Sequence, residues 1–102
     1  GDKMSVNYDP SKKPEITTEM VNLAKKLNLQ LVNIICDEED AQVGDPTGLS
    51  FITMTAFLPR PEEQIILENG SVYQVKQIFF QQTQVDRNII LFPNIYSHLL
   101  PK

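Results

Sequence analysis

Apolar residues keep two spacings along this chain, a helical one near the start and an alternating one after it. Met20, Leu23, Ala24 and Leu27 recur at helical spacing, while Asn22, Lys25 and Lys26 fall on the opposite side. The pattern predicts a short helix over 17–27. Thr17 is placed to cap it, Glu19 lies in the first turn where the helix dipole favours an anion, and Ile16 and Val21 occupy the positions of a hydrophobic staple. A helix of three turns does not hold itself in water, so it must pack on the rest of the chain.

The remainder of the chain reads as strands. Residues 29–36 (LQLVNIIC) are short and β-branched, with Leu29 and Leu31 on one face and Val32, Ile34 and Cys36 on the other. That broken alternation predicts a bulge near residues 31 and 32. A long polar loop over 37–48 comes next. Residues 49–58 (LSFITMTAFL) set Ile52, Met54, Ala56 and Leu58 on one face, and Phe51 and Phe57 with Thr53 and Thr55 between them on the other. Pro59 and Pro61 stop that strand.

Residues 63–68 and 71–80 predict a hairpin. Its turn, Asn69-Gly70, is the pair that a two-residue type I′ turn prefers. After the turn the apolar phase slips from Tyr73 and Val75 to Ile78 and Phe80, which predicts a bulge at Lys76-Gln77. Residues 81–87 read as a polar connector and 88–92 (NIILF) as a last strand ended by Pro93. Ile95, Tyr96, Leu99 and Leu100 then form an apolar tail that packs back on the domain.

These elements amount to five strands with broken phases and one short N-terminal helix. Phase slips suit a sheet that bends strongly. The expected fold is mainly β: a small five-stranded antiparallel SH3-like barrel, or else a strongly bent sheet with the helix across one face. Residues 1–14 read as a flexible lead-in and 15–102 as a single β-rich domain.

The segment Pro59-Arg60-Pro61-Glu62-Glu63-Gln64-Ile65-Ile66-Leu67-Glu68-Asn69-Gly70-Ser71-Val72-Tyr73-Gln74-Val75 resembles a pattern of small SH3-like β-barrel proteins of uncharacterised or phage-related type. In these a proline and a polar turn precede a short strand, a tight glycine turn and Tyr-x-Val. Many carry a glycine where this chain has Glu62-Glu63. The resemblance implies a barrel fold; it does not imply an activity, because one fold hosts many.

Composition narrows the functional classes. The 102 residues are 41% apolar and 22% charged, ordinary for a folded domain. A net charge of −4 argues against a general nucleic-acid binder, and the cations are too dispersed to track a phosphate backbone or an anionic membrane. Cys36 is the sole cysteine, so no internal disulfide can form. A reducing, cytoplasmic setting is the expectation, with no signal peptide and no apolar stretch of membrane-spanning length.

Candidate chemistry is sparse. Cys36 and His98 are single examples of their types and predict an inert thiol and a surface imidazole rather than a nucleophilic pair. The acids Asp37 to Asp40 with Asp45 lack the spacing of a calcium loop and read as a solvated turn. No phosphate-binding, hydrolase or zinc motif is present, so no enzyme class, cofactor or metal is assigned.

The aromatics carry the remaining signal. Phe79 and Phe80 are adjacent, so a strand points them to opposite faces, and one of them lies outside the core or in an interface. The expectation is a non-catalytic protein–protein interaction or assembly module, with self-association among its modes. Phe51, Phe57, Tyr73, Phe79 and Arg60 are its candidate contact residues. The alternatives are a small barrel binding single-stranded nucleic acid through Tyr73, Phe79, Lys76, Arg60 and Arg87, and an enzyme of no assignable class.

Overall fold

The computed structural model describes residues 15–37 and 49–101. Residues 1–14, expected as a lead-in, lie outside them, as do Glu38 to Asp40 and Asp45 of the acidic loop.

The helix forms where its signals place it, as α1 (Thr18–Leu27). The Thr17 side chain accepts from the Met20 N–H at 3.2 Å. Asn28 ends the helix in the left-handed conformation at φ 57, its N–H directed to the carbonyls of Ala24 and Lys25. Ala24 is buried, whereas Leu23 and Leu27 are about half exposed.

Five strands come after the helix: β1 (Gln30–Asp37), β2 (Leu49–Thr55), β3 (Gln64–Ile66), β4 (Val72–Val85) and β5 (Asn88–Leu99). They form one sheet in the order β2-β1-β5-β4-β3, curled into a half-barrel. Three ladders are antiparallel as expected, but β1 and β5 pair in parallel. Strand directions alternate along the chain, so the first and fifth point the same way. When β5 inserts beside β1, the ladder between them must therefore be parallel.

The largest correction concerns 81–100. The expected polar connector is the far half of β4, and the expected tail is the near half of β5, the middle strand of the sheet. The chain reverses only at Asp86-Arg87, with Val85 opposite Asn88 and Asp86 at φ 56, a conformation that aspartate tolerates. Pro93 does not stop β5. It stands opposite Phe80 just before the β1 ladder begins at Asn94, where a missing donor costs least.

Two smaller expectations also change. β1 has no bulge, since its registers with β2 and β5 are continuous. Every residue from Leu31 to Asp37 is buried because strands flank β1 and both its faces are covered, so alternation disappears without any bend. The hairpin at Asn69-Gly70 forms, but with a three-residue loop. Leu67 N–H donates to the Ser71 carbonyl at 2.9 Å and Gly70 N–H to the Leu67 carbonyl at 2.8 Å. Only Gly70, at φ 90, is left-handed, while Asn69 Oδ1 accepts from the Ser71 N–H at 2.9 Å. This is a turn with a glycine bulge rather than a type I′ pair. The bulge expected at Lys76-Gln77 is present, between Val75 and Gln77.

The core lies on the concave face, where Val32, Ile34, Cys36, Val75 and Ile95 are buried together under Phe51, Leu58, Ile65, Leu67, Tyr73 and Ile78. On the convex face Ile35 and Tyr96 pack with Phe79. A row of amides crosses that face: Asn33 Nδ2 donates to Asn94 Oδ1 at 2.8 Å, and Asn94 Nδ2 to Gln81 Oε1 at 3.1 Å. Buried amides need such partners, because an unpaired one costs about 1–3 kcal/mol.

Candidate interaction surface

The sheet has two edges, β2 and β3, and curling brings both onto the margins of one concavity of about 740 Å³. Its floor is apolar and comes from the inner strands through Val32, Ile34 and Ile95. Thr53, Met54 and Thr55 of β2 form one wall, and Gln64 and Ile65 of β3 the other. The link between them supplies the rim, including Phe57, Leu58, Pro59, Arg60 and Glu63.

Local chemistry shapes that rim. β2 ends at Thr55, earlier than expected. The Thr55 hydroxyl donates to the Phe57 carbonyl at 2.8 Å, a turn made by the side chain. The reversal swings Phe57 out of the sheet, where it is 84% exposed. Glu63 Oε1 then accepts from the Arg60 N–H, and Glu62 adopts φ 78. Glu62 N–H donates to the Val75 carbonyl at 2.7 Å and Val75 N–H to the Glu63 carbonyl at 2.8 Å, which ties the rim to β4.

The five candidate contact residues divide between the faces. Phe57 and Arg60 line the concavity, and Phe51 and Tyr73 pack against its core cluster. Phe79 does not join them: it is half-buried on the convex face against Ile35 and Tyr96. Its neighbour Phe80 is the exposed one, at 53%. The nucleic-acid set is likewise divided, with Tyr73 on the concave face, Phe79 on the convex face and Arg87 in the β4–β5 turn.

Cys36 and His98 also part. Cys36 lies opposite Ser97 and His98 opposite Asp37, so the thiol faces the concave core and the imidazole the convex side. Burial pushes the Cys36 thiol up to about 11, opposed by a hydrogen bond with Ser97. Burial raises the Tyr73 phenol as well, with the nearby Cys36 adding to it. Both groups are protonated at neutral pH.

A polar chain that the sequence did not suggest closes the convex end of β1 and β5. Tyr96 OH donates to Asp37 Oδ2 at 2.7 Å, and His98 Nε2 stands 3.3 Å from the same hydroxyl with its ring edge-on to the tyrosine. Asp37 and Tyr96 are each 1% exposed. With the phenol proton directed to Asp37, the tyrosine oxygen accepts from His98. Reading β5 beyond Pro93 as a tail concealed this group. Among the described residues no cluster of three or more His, Cys, Asp or Glu has the placement to hold a metal, and no helix is long and apolar enough to cross a membrane.

Comparison with protein-family models, with curated proteins and with solved structures returns no match for this chain.

Proposed function

We propose that this protein is a non-catalytic interaction module that receives an extended protein segment in the open seam of its half-barrel. The observation that carries this reading is the apolar-floored concavity bounded by the two edge strands, β2 and β3. An edge strand offers a row of backbone donors and acceptors. A segment laid beside it gains main-chain hydrogen bonds and sends alternate side chains into the adjoining concavity. A volume near 740 Å³ has room for such side chains. Phe57 and Arg60 stand exposed at the rim, where an aromatic and a guanidinium contribute most to protein recognition. The free, buried Cys36 suits a reducing compartment such as the cytoplasm. The likeness of residues 59–75 to small SH3-like barrels belongs to the same reading, since that segment builds the rim and β3.

A random peptide library displayed on phage, panned against the protein, tests this. Enriched peptides should carry alternating apolar residues and shift the NMR signals of Thr53 to Thr55 and Ile65. Phe57→Ala combined with Arg60→Ala, both on the surface, should weaken them at least tenfold. Failure to enrich any peptide, or binders whose shifts fall elsewhere and ignore the double substitution, would overturn the proposal.

A further inference from the structure

β4 outlasts its outer neighbour. β3 covers only Val72 to Gln74, and the rim bonds extend that cover to Val75. From Lys76 to Val85 the outer edge of β4 has no strand beside it among the described residues. Proteins normally guard such an edge with charge or proline. This one has neither for nine residues, Gln77 to Val85, in a chain of net charge −4. Charges stand only at its ends, Lys76 and Asp86.

We infer that two copies of this chain join β4 to β4, antiparallel about a two-fold axis at Gln81, to make one continuous sheet. Three features converge on that axis. In a two-fold register centred on Gln81, residue numbers across the seam sum to 162, as 81 with 81. The bulge residue Lys76 of each copy then comes to the β4–β5 turn of the other, which carries Asp86, so both ends bring opposite charges near one another. Phe79 faces Thr83 of the other copy, an aromatic beside a β-branched residue, a favoured cross-strand pair.

The second feature is the amide row. Asn33 donates to Asn94 and Asn94 to Gln81 Oε1, which carries the row out to the strand with the bare edge, and Gln81 Nε2 has no partner among the described residues. The second copy's Gln81 supplies an acceptor at that point, and the row runs on through it. The third feature is apolar. Phe80, Ile89 and Leu91 are 53%, 67% and 65% exposed on one face of the hairpin. Within a copy Phe80 stands opposite Pro93 and Gln82 opposite Leu91. Pairing sets Phe80 against Gln82 of the other copy, so each row across the four strands reads Pro93, Phe80, Gln82 and Leu91, and the Gln82 stem covers part of the exposed Phe80 ring. The matching edge of β5 is a poorer template, because it is cut short by Pro93 and α1 lies beside Asn88 and Ile90.

This inference goes beyond the proposed seam, which lies at the other edges of the sheet, and its test is independent of any peptide. Sedimentation equilibrium should give a dimer. Gln82→Cys and Gln84→Cys, both on the surface and each spin-labelled separately, read the register: residue 82 lies two residues from its own counterpart, residue 84 six. The inter-copy distance should therefore be longer at 84 by roughly 13 Å at the usual rise of a strand. Phe80→Lys, also on the surface, should weaken association at least tenfold, and Lys76→Glu should weaken it less and remove part of its salt dependence. A monomer at all concentrations overturns the inference. So does a dimer with equal distances at 82 and 84, or one that Phe80→Lys leaves intact.

Discussion

Between Val72 and Ile78, β4 runs beside β5, has β3 on its outer side at the start, and belongs to a sheet whose next strand is β1. Between Phe80 and Val85 it has β5 alone, and β5 there has lost β1, whose ladder starts at Asn94. One ladder thus passes from a five-stranded wall into a two-stranded ribbon. In the near half the concave side chains Val75 and Ile95 are 0% and 1% exposed; in the far half the same face carries Phe80, Ile89 and Leu91, all more than half exposed. The ribbon is anchored from its convex side, where Val85 and Phe92 are buried and the Thr18 hydroxyl donates to the Asp86 carboxylate. An isolated two-stranded ribbon is marginal in water. The helix at its tip and the amide row at its root are what hold it out from the sheet.

The difference between the halves is sharpest in large-to-small substitutions. Ile95→Ala removes a side chain buried among Val32, Ile34 and Val75, and should cost about 3 kcal/mol of unfolding free energy, transfer and cavity terms together. Leu91→Ala, four residues earlier on the same face, should cost less than about 0.5 kcal/mol in dilute protein. Urea unfolding of the two variants checks this. Equal costs would mean that the ribbon is as covered as the wall.

The amide row should come next in size. Asn94→Leu leaves Asn33 buried with its amide unpaired and removes the donor to Gln81, for a loss of about 1–3 kcal/mol. Gln81→Leu should cost less, because Gln81 is only half-buried and the Asn33–Asn94 bond survives. Hydrogen exchange separates the halves again: Asn94→Leu should speed exchange from Phe80 to Leu91 more than from Val72 to Val75. A uniform change would show that the row stabilises the whole sheet rather than the joint between its parts.

The two halves were unequally legible in the sequence, for physical reasons. The α1 cap, the glycine at position 70 and the phase slip at Lys76 are local signals, and each places its feature to within a residue or two. The far half of β4 is written in glutamines, which show no alternation because both their faces meet water or amides. Proline reads as a strand end only where a ladder needs its donor, and at Pro93 none does. Losing β5 beyond that proline hid the floor of the seam at Ile95 and the Asp37–Tyr96–His98 chain with it. Phe57 was visible as an aromatic on the second face of the predicted strand, and Arg60 as a cation close to it in sequence. The Phe79 and Phe80 pair was correctly split between faces. Which one is exposed depends on the ribbon leaving the concave face uncovered past Ile78, a tertiary fact with no local trace.

The smallest expected effect concerns pH and belongs to the near half alone. Cys36 packs with Val75 and Ile95, and its thiol is raised from about 9 to about 11, mainly because burial penalises the thiolate. The folded protein therefore holds this proton more tightly than the unfolded chain. The associated stability is complete below about pH 9 and is lost as pH rises through about 11. Tyr73, raised for the same reason and by the neighbouring Cys36, adds a loss of the same sign at the upper end of that range. Urea midpoints measured from pH 8 upward should fall for the natural chain. In Cys36→Ala the fall should be shallower and begin later, and in Tyr73→Phe its upper part should be reduced. Cys36 and Tyr73 belong to the concave cluster of the wall, whereas Val85 and Phe92 are buried on the convex side of the ribbon, so alkaline loosening should start at the wall and reach the ribbon only with global unfolding. An identical pH profile for the natural chain and Cys36→Ala would remove the thiol from the balance and leave burial of apolar area alone to distinguish the two halves.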